Sequence, residues 1–142
     1  MLDKHLIKKK IVLIDQYLKE LQPLAKLTLK QFLDDYKIYR TTERNLQLIV
    51  DTAIDINNHL IISSQLPPAE DYYQSFIQLG ELKIFPAEFA KKIARSAGLR
   101  NRLVHAYENI DLVRIFRDLK FDLRDYQKYN RYILKYIDKK NR

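Results

Sequence analysis

Between Gly98 and Tyr107 the chain gathers Arg100, Asn101, Arg102, His105 and Tyr107, with amphipathic helical sequence on either side. Arginine offers a planar fork of donors that matches a phosphate and stays charged at any working pH. An imidazole takes and returns a proton near neutrality. Together they meet the needs of phosphodiester cleavage by an internal 2′-hydroxyl. One group must move the proton of the attacking or leaving oxygen, and a cation must stabilise charge building on the phosphorus oxygens. A metal is not obligatory for that reaction.

Other chemistries find little support. The two glycines, Gly80 and Gly98, are 18 residues apart, whereas a phosphate-cradling loop needs several within one turn. There is no cysteine, which removes thiol nucleophiles, cysteine zinc sites, iron–sulfur clusters and disulfides. The three histidines, His5, His59 and His105, are spread along the chain without metal-ligand spacing, so no metal and no cofactor is expected. His59 reads as a surface or packed histidine and His5 as incidental.

The elements that must position these residues are all helical. Ile7, Ile11, Ile14, Leu18 and Leu21 recur at steps of four and three, a single helical stripe that Pro23 should end. Thr28 can cap a short segment through about Tyr36, and a long helix is expected from about Thr42 to Ile62. Ser63 to Pro68 is a break, followed by a short helix from about Asp71 to Leu79 and a turn near Gly80. Pro86 suits the first position of a helix that carries Phe89, Ile93 and Ala97 towards His105. Asp111 can cap the last helix, where Leu112, Phe116, Leu119, Leu123, Tyr126, Asn130, Ile133 and Ile137 form a four-three seam. That seam fits either the inside of a bundle or a coiled-coil-like dimer. Tyr129, Tyr132 and Tyr136 share the helical spacing of Tyr126 and read as packing residues. The expectation is one all-α domain over residues 1–142.

On a straight helix Asn101 and His105 share one face, whereas Arg100 and His105 diverge by about 140°. Either the helix ends or bends near Val104, or a two-fold dimer brings groups from both chains to one cleft. The dimer is preferred, because an isologous contact sets two copies of one segment face to face. Leu99, Leu103, Ala106 and Ile110 form an apolar stripe expected to dock this helix.

Arg100, four residues and then His105, with Tyr107 two further on, resembles the R-x4-H-x-Y motif of HEPN domains. The stretch GLRNRLVHAYENID is similar to the HepT toxin family of HEPN proteins, and IVDTAIDINNHL (49–60) and DYYQSFIQLGEL (71–82) resemble two other segments of that family. The resemblance implies a homodimeric HEPN-like helical bundle. It also implies a metal-independent endoribonuclease, the toxin of a type VII toxin–antitoxin pair, neutralised by an MNT-type nucleotidyltransferase antitoxin that transfers AMP to the motif tyrosine. Arg100 would then bind or polarise the phosphate, His105 would be the acid–base residue and Asn101 would orient either. Tyr107 would be AMPylated, and Asp55, which shares a helix face with Asp51, would orient Arg100 or His105.

The net charge of +8 favours a polyanionic partner such as RNA, and Lys8-Lys9-Lys10 and the tail Lys139-Lys140-Asn141-Arg142 are the evident charge runs. The apolar run Ile11–Ile14 is too short for a signal segment or a membrane span, so the cytoplasm is the expected location. A second reading keeps the bundle and discards catalysis: a helical adaptor or substrate-recognition subunit of a nucleotidyltransferase. The intact Arg100–His105 pair weighs against it.

Overall fold

A computed structural model describes residues 2–105 and 110–140, which form six helices. These are α1 (Lys4–Ala25), α2 (Leu29–Asp34), α3 (Tyr36–Ser63), α4 (Tyr72–Glu81), α5 (Ala87–His105) and α6 (Leu112–Lys139). Most boundaries follow from short polar side chains that satisfy the free N–H groups of a first turn. Asp3, Asp71 and Asp111 each accept from the backbone N–H three residues on. Thr28 and Gln31 form a reciprocal capping box at the start of α2.

Three boundaries differ from the sequence expectation. α1 continues past Pro23 to Ala25, because a proline in the last turn forfeits only one hydrogen bond and the turn is closed by Lys26 N–H on the Pro23 carbonyl. α3 starts six residues early, since Asp35 ends α2 and caps α3 by accepting from Lys37 N–H. Gly80 lies inside α4 rather than in a turn. A Cβ there would sit 2.7 Å from Ala90 Cβ, so the missing side chain is what lets α4 and α5 approach. The turn itself falls just after, with Lys83 in the left-handed region at φ 59°.

α1 and α3 run antiparallel. Asn45 Nδ2 donates to Glu20 at one end, and the Asp3 backbone N–H donates to His59 Nε2 at the other, giving that histidine a structural partner. α6 lies along α1 and α2, and its four-three seam from Leu119 to Ile137 is buried within the chain, together with Tyr126 and Tyr129. The seam is thus the inside of the bundle. Phe32, Phe76, Phe85 and Phe89 fill the spaces between helices, mostly with rings edge-on or tilted to the tyrosines.

A buried polar relay crosses this core. The Tyr129 hydroxyl donates to Asn57 Oδ1 at 2.6 Å, Asn57 Nδ2 donates to Ser75 Oγ at 3.1 Å, and Ser75 Oγ donates to the Tyr72 carbonyl at 2.8 Å. It ties α6 to α3 and to the first turn of α4. A relay satisfied at each step specifies one arrangement of the helices, because any slip leaves a buried polar group unpaired.

Candidate functional site

α5 carries the motif, and its position is fixed from two sides. Phe89, Ala90, Ile93, Ala94 and Ala97 pack it into the core. Towards α6, the Tyr126 hydroxyl donates at 2.6 Å to Ser96 Oγ, whose own proton goes to the Ile93 carbonyl. Burial holds the Tyr126 and Tyr129 phenols well above the ordinary tyrosine range, so both act as neutral donors.

One turn beyond Ser96, Arg100 turns away from α6 and meets α3. Its Nε–H donates to Asp51 Oδ1 at 2.6 Å, and its guanidinium lies over the Tyr72 ring at 5.1 Å from the centroid. The pair is mostly shielded, with side-chain exposure of 17% for Arg100 and 35% for Asp51. Among the described residues nothing else takes a hydrogen bond from the guanidinium. The Nη–H groups, the face that suits two phosphate oxygens, therefore remain available. Tyr72 is placed by the polar relay that ends on its own carbonyl.

The carboxylate that holds Arg100 is Asp51, not Asp55. The antiparallel register of α1 against α3 sets Lys10 beside Asp55 at 3.6 Å, so that carboxylate, on the exposed side of α3, is engaged elsewhere. The spacing showed the two aspartates on one face but could not rank them. The signal that separates them is Lys10, the last of the three lysines. Tyr72 carried no sequence signal beyond its place before the motif helix.

Asn101 and His105 are both exposed, and α5 is continuous from Ala87 to His105. Arg100 and His105 therefore both lie in one helix that is unbroken through Val104, five residues apart. Tyr107 and Ala106 lie outside the described residues. Leu99, Leu103 and Ile110 of the apolar stripe pack against the edge of the core. They are half-buried and line a cavity of about 810 Å³ between α5 and α6.

The walls of that cavity carry mostly opposite charge, Arg114 of α6 being the exception. Lys92, Arg95 and Arg102 come from α5, and Asp118, Asp122 and Asp125 come from α6. Lys92 pairs with Asp125 at 3.1 Å. Asp122 has no ion pair among the described residues, and burial, with Asp118 and Asp125 one turn to either side, pushes its carboxyl up to about 7. Among the described residues no three His, Asp or Glu side chains come together as a metal site would need. No helix among them is long and apolar enough to cross a membrane.

Comparison with known proteins bears on this geometry. Residues 14–133 match the family model described as Ribonuclease HepT-like. The chain is 40% identical over 134 residues to the tRNA nuclease HepT of Aphanizomenon flos-aquae, covering 93% of this chain and 90% of that protein. It is 26% identical over 99 residues to the mRNA nuclease HepT of Shewanella oneidensis, covering 70% and 74%. The fold is similar to that of the tri-AMPylated Shewanella oneidensis HEPN toxin solved in complex with an MNT antitoxin. That match has a TM-score of 0.84 at 26% identity and covers 95% of this chain and 99% of that one.

Proposed function

The chain belongs to the HepT-like family of ribonucleases, and from that premise we propose that Arg100 and His105 are its working residues as the toxin endoribonuclease of a HEPN/MNT pair. The observation that carries this reading is the state of Arg100. A carboxylate and an aromatic ring hold its guanidinium from one side, and among the described residues nothing takes a hydrogen bond from the Nη edge, which suits a phosphate. An arginine needed only for packing has no use for a free fork at the edge of the bundle.

The mechanism is attack of an RNA 2′-hydroxyl on the adjacent phosphorus, with loss of the 5′-oxygen of the next nucleotide and formation of a 2′,3′-cyclic phosphate. Arg100 neutralises the charge that builds on the non-bridging oxygens, a contribution larger in the transition state than in the ground state. His105 moves the proton at the attacking or leaving oxygen. Asn101, one turn before His105, orients the phosphate or the imidazole. The divergence of Arg100 and His105 on one straight helix favours a homodimer in which the two motif helices face one another across a two-fold axis.

In this reading Tyr107 is the residue that an MNT-type antitoxin modifies with AMP. Tyr107 lies two residues from His105 in the sequence, and the added nucleotide brings a phosphate and a bulky base that compete with RNA. The substrate is cellular RNA, met in the cytoplasm. The test is co-expression with the cognate nucleotidyltransferase, followed by intact-mass and peptide analysis. An AMP adduct on Tyr107 that coincides with loss of RNA cleavage supports the assignment. An adduct that persists in Tyr107→Phe, with inhibition intact, removes Tyr107 from it.

A further inference from the structure

α6 sorts its charges by face. The acidic residues Asp118, Asp122 and Asp125 line the cavity against α5. The face opposite the buried seam carries Arg117, Arg124, Lys128, Arg131, Lys135 and Lys139, which recur at steps of three, four and seven on one helical line. Phe121 occupies the one remaining position on that line. At 1.5 Å per residue the line is about 33 Å long.

A solvated helix face ordinarily mixes signs, and this chain does so elsewhere. Lys19 pairs with Asp15, Lys30 with Asp34, Arg40 with Glu43 and Arg114 with Asp118, each one turn apart. Among the described residues, none of the six cations on the α6 line has a carboxylate partner. Like charges one turn apart oppose helix formation, so the stripe does not serve the stability of α6. Phe121 is 47% exposed, with Lys120 Nζ 5.3 Å and Arg124 Cζ 5.8 Å from its ring centroid.

We propose that the outward face of α6 is a docking track for the sugar–phosphate backbone of RNA, with Phe121 as a stacking platform for a base. The proposal rests on the ribonuclease reading and extends it, assigning substrate affinity to a surface outside the catalytic motif. Neighbouring side chains on a helix lie about 5–6 Å apart, close to the spacing of successive phosphates. An exposed aromatic among cations is how proteins hold single-stranded bases without sequence preference. The track also starts where the chemistry is. Six residues separate His105 from Leu112, and Leu103 and Arg114 line the same cavity, so the Arg117 end of the stripe adjoins the end of the motif helix. An anionic membrane is a poorer match. An interfacial helix inserts its apolar face, and here that face is committed to the bundle core.

The test is the salt dependence of binding of a labelled single-stranded RNA to the full chain, unmodified at Tyr107 and carrying His105→Ala so that the RNA stays whole. Each phosphate contact to a single strand contributes about 0.7 to the slope of log K against log salt. The triple substitution Arg124→Gln, Lys128→Gln and Arg131→Gln should weaken binding and flatten that slope by about 2. Between about 50 and 200 mM salt the parent would then lose roughly 20-fold more affinity than the variant. A charge-matched triple elsewhere on the surface, Lys9→Gln, Lys26→Gln and Lys37→Gln, should leave the slope near that of the parent.

An unchanged slope in the α6 triple, or equal flattening in both triples, overturns the track. So does a loss confined to binding of phosphatidylserine vesicles, with RNA binding intact. Thermal unfolding of the α6 triple checks the fold, and Lys135→Gln with Lys139→Gln provides a second, milder variant that should flatten the slope by about 1.4. Cleavage by the wild-type chain is scored separately. A chain that binds RNA through α6 and cuts nothing keeps the track and loses the ribonuclease reading. A chain that cuts RNA with KM unchanged in the α6 triple keeps the ribonuclease and loses the track.

Discussion

Asp122 gives the structure a pH signature that can be calculated in advance. Its carboxyl lies in the α5–α6 cavity between Asp118 and Asp125, facing Lys92, Arg95, Arg102 and Arg114 from the surrounding walls. Two of these cations are already engaged, Lys92 with Asp125 and Arg114 with Asp118. The folded chain therefore holds a proton on Asp122 up to about pH 7, whereas the unfolded chain releases it near the ordinary aspartate value of 3.8. Between those two values the native state binds more protons than the unfolded state, so stability falls as pH rises and levels off above 7. Three units at about 1.4 kcal/mol each set a ceiling of about 4 kcal/mol, and partial solvent access to the cavity brings the expected cost to roughly 2 kcal/mol. Asp122→Asn keeps the shape and cannot ionise. Denaturant unfolding at pH 4 and pH 8 should find the variant within about 0.5 kcal/mol of wild type at the lower pH and more stable by roughly 2 kcal/mol at the higher. Equal differences at both pH values, or a variant less stable at pH 8, would refute the picture of a largely desolvated carboxylate with no ion-pair partner among the described residues.

Other consequences follow from the same contacts. Asp51→Asn should lower kcat/KM for RNA by at least tenfold while Asp55→Asn leaves it within about twofold, and recovery of activity in Asp51→Glu would separate positioning of Arg100 from simple loss of fold; equal effects at the two aspartates would contradict the pairing seen here. Tyr129→Phe strands Asn57 Oδ1 in the core and should cost about 1–3 kcal/mol in equilibrium unfolding, against nothing measurable if the relay were dispensable. Gly80→Ala places a methyl 2.7 Å from Ala90 Cβ and should destabilise by about 1–3 kcal/mol, with Ala90→Gly restoring part of the loss in the double variant.

What could be read from the sequence was what local sequence determines. The helices follow from four-three apolar spacing and from short polar caps such as Thr28, Asp71 and Asp111, and these act within one turn of themselves. The motif from Arg100 to His105 is likewise contiguous, so its residue types alone announced phosphate chemistry. The choice between Asp51 and Asp55 was different in kind. Both occupy the same face of α3, and only the register of α1, which delivers Lys10 to Asp55, leaves Asp51 for Arg100. Gly80 reads as a turn because glycine usually breaks helices, whereas here a tertiary contact with Ala90 outweighs propensity. Leu99 and Leu103 read as a docking stripe and do pack against the core, but Ala90, Ala94 and Ala97 form the fully buried face and the leucines also line the cavity, which spacing alone does not show. The basic line of α6 is the exact complement of the seam that the apolar periodicity picks out, and attention to the seam hides it.

The account stands most directly on metal-free cleavage of RNA by the unmodified chain. Purified protein whose intact mass shows no AMP on Tyr107 should cut RNA in the presence of a chelator and leave 2′,3′-cyclic phosphate ends, and His105→Ala and Arg100→Ala, folded to the same extent, should not. Cleavage that survives in both variants would contradict the assignment of the site. An unmodified wild-type chain that leaves RNA intact would contradict the function itself and turn the bundle into a binding partner of the nucleotidyltransferase.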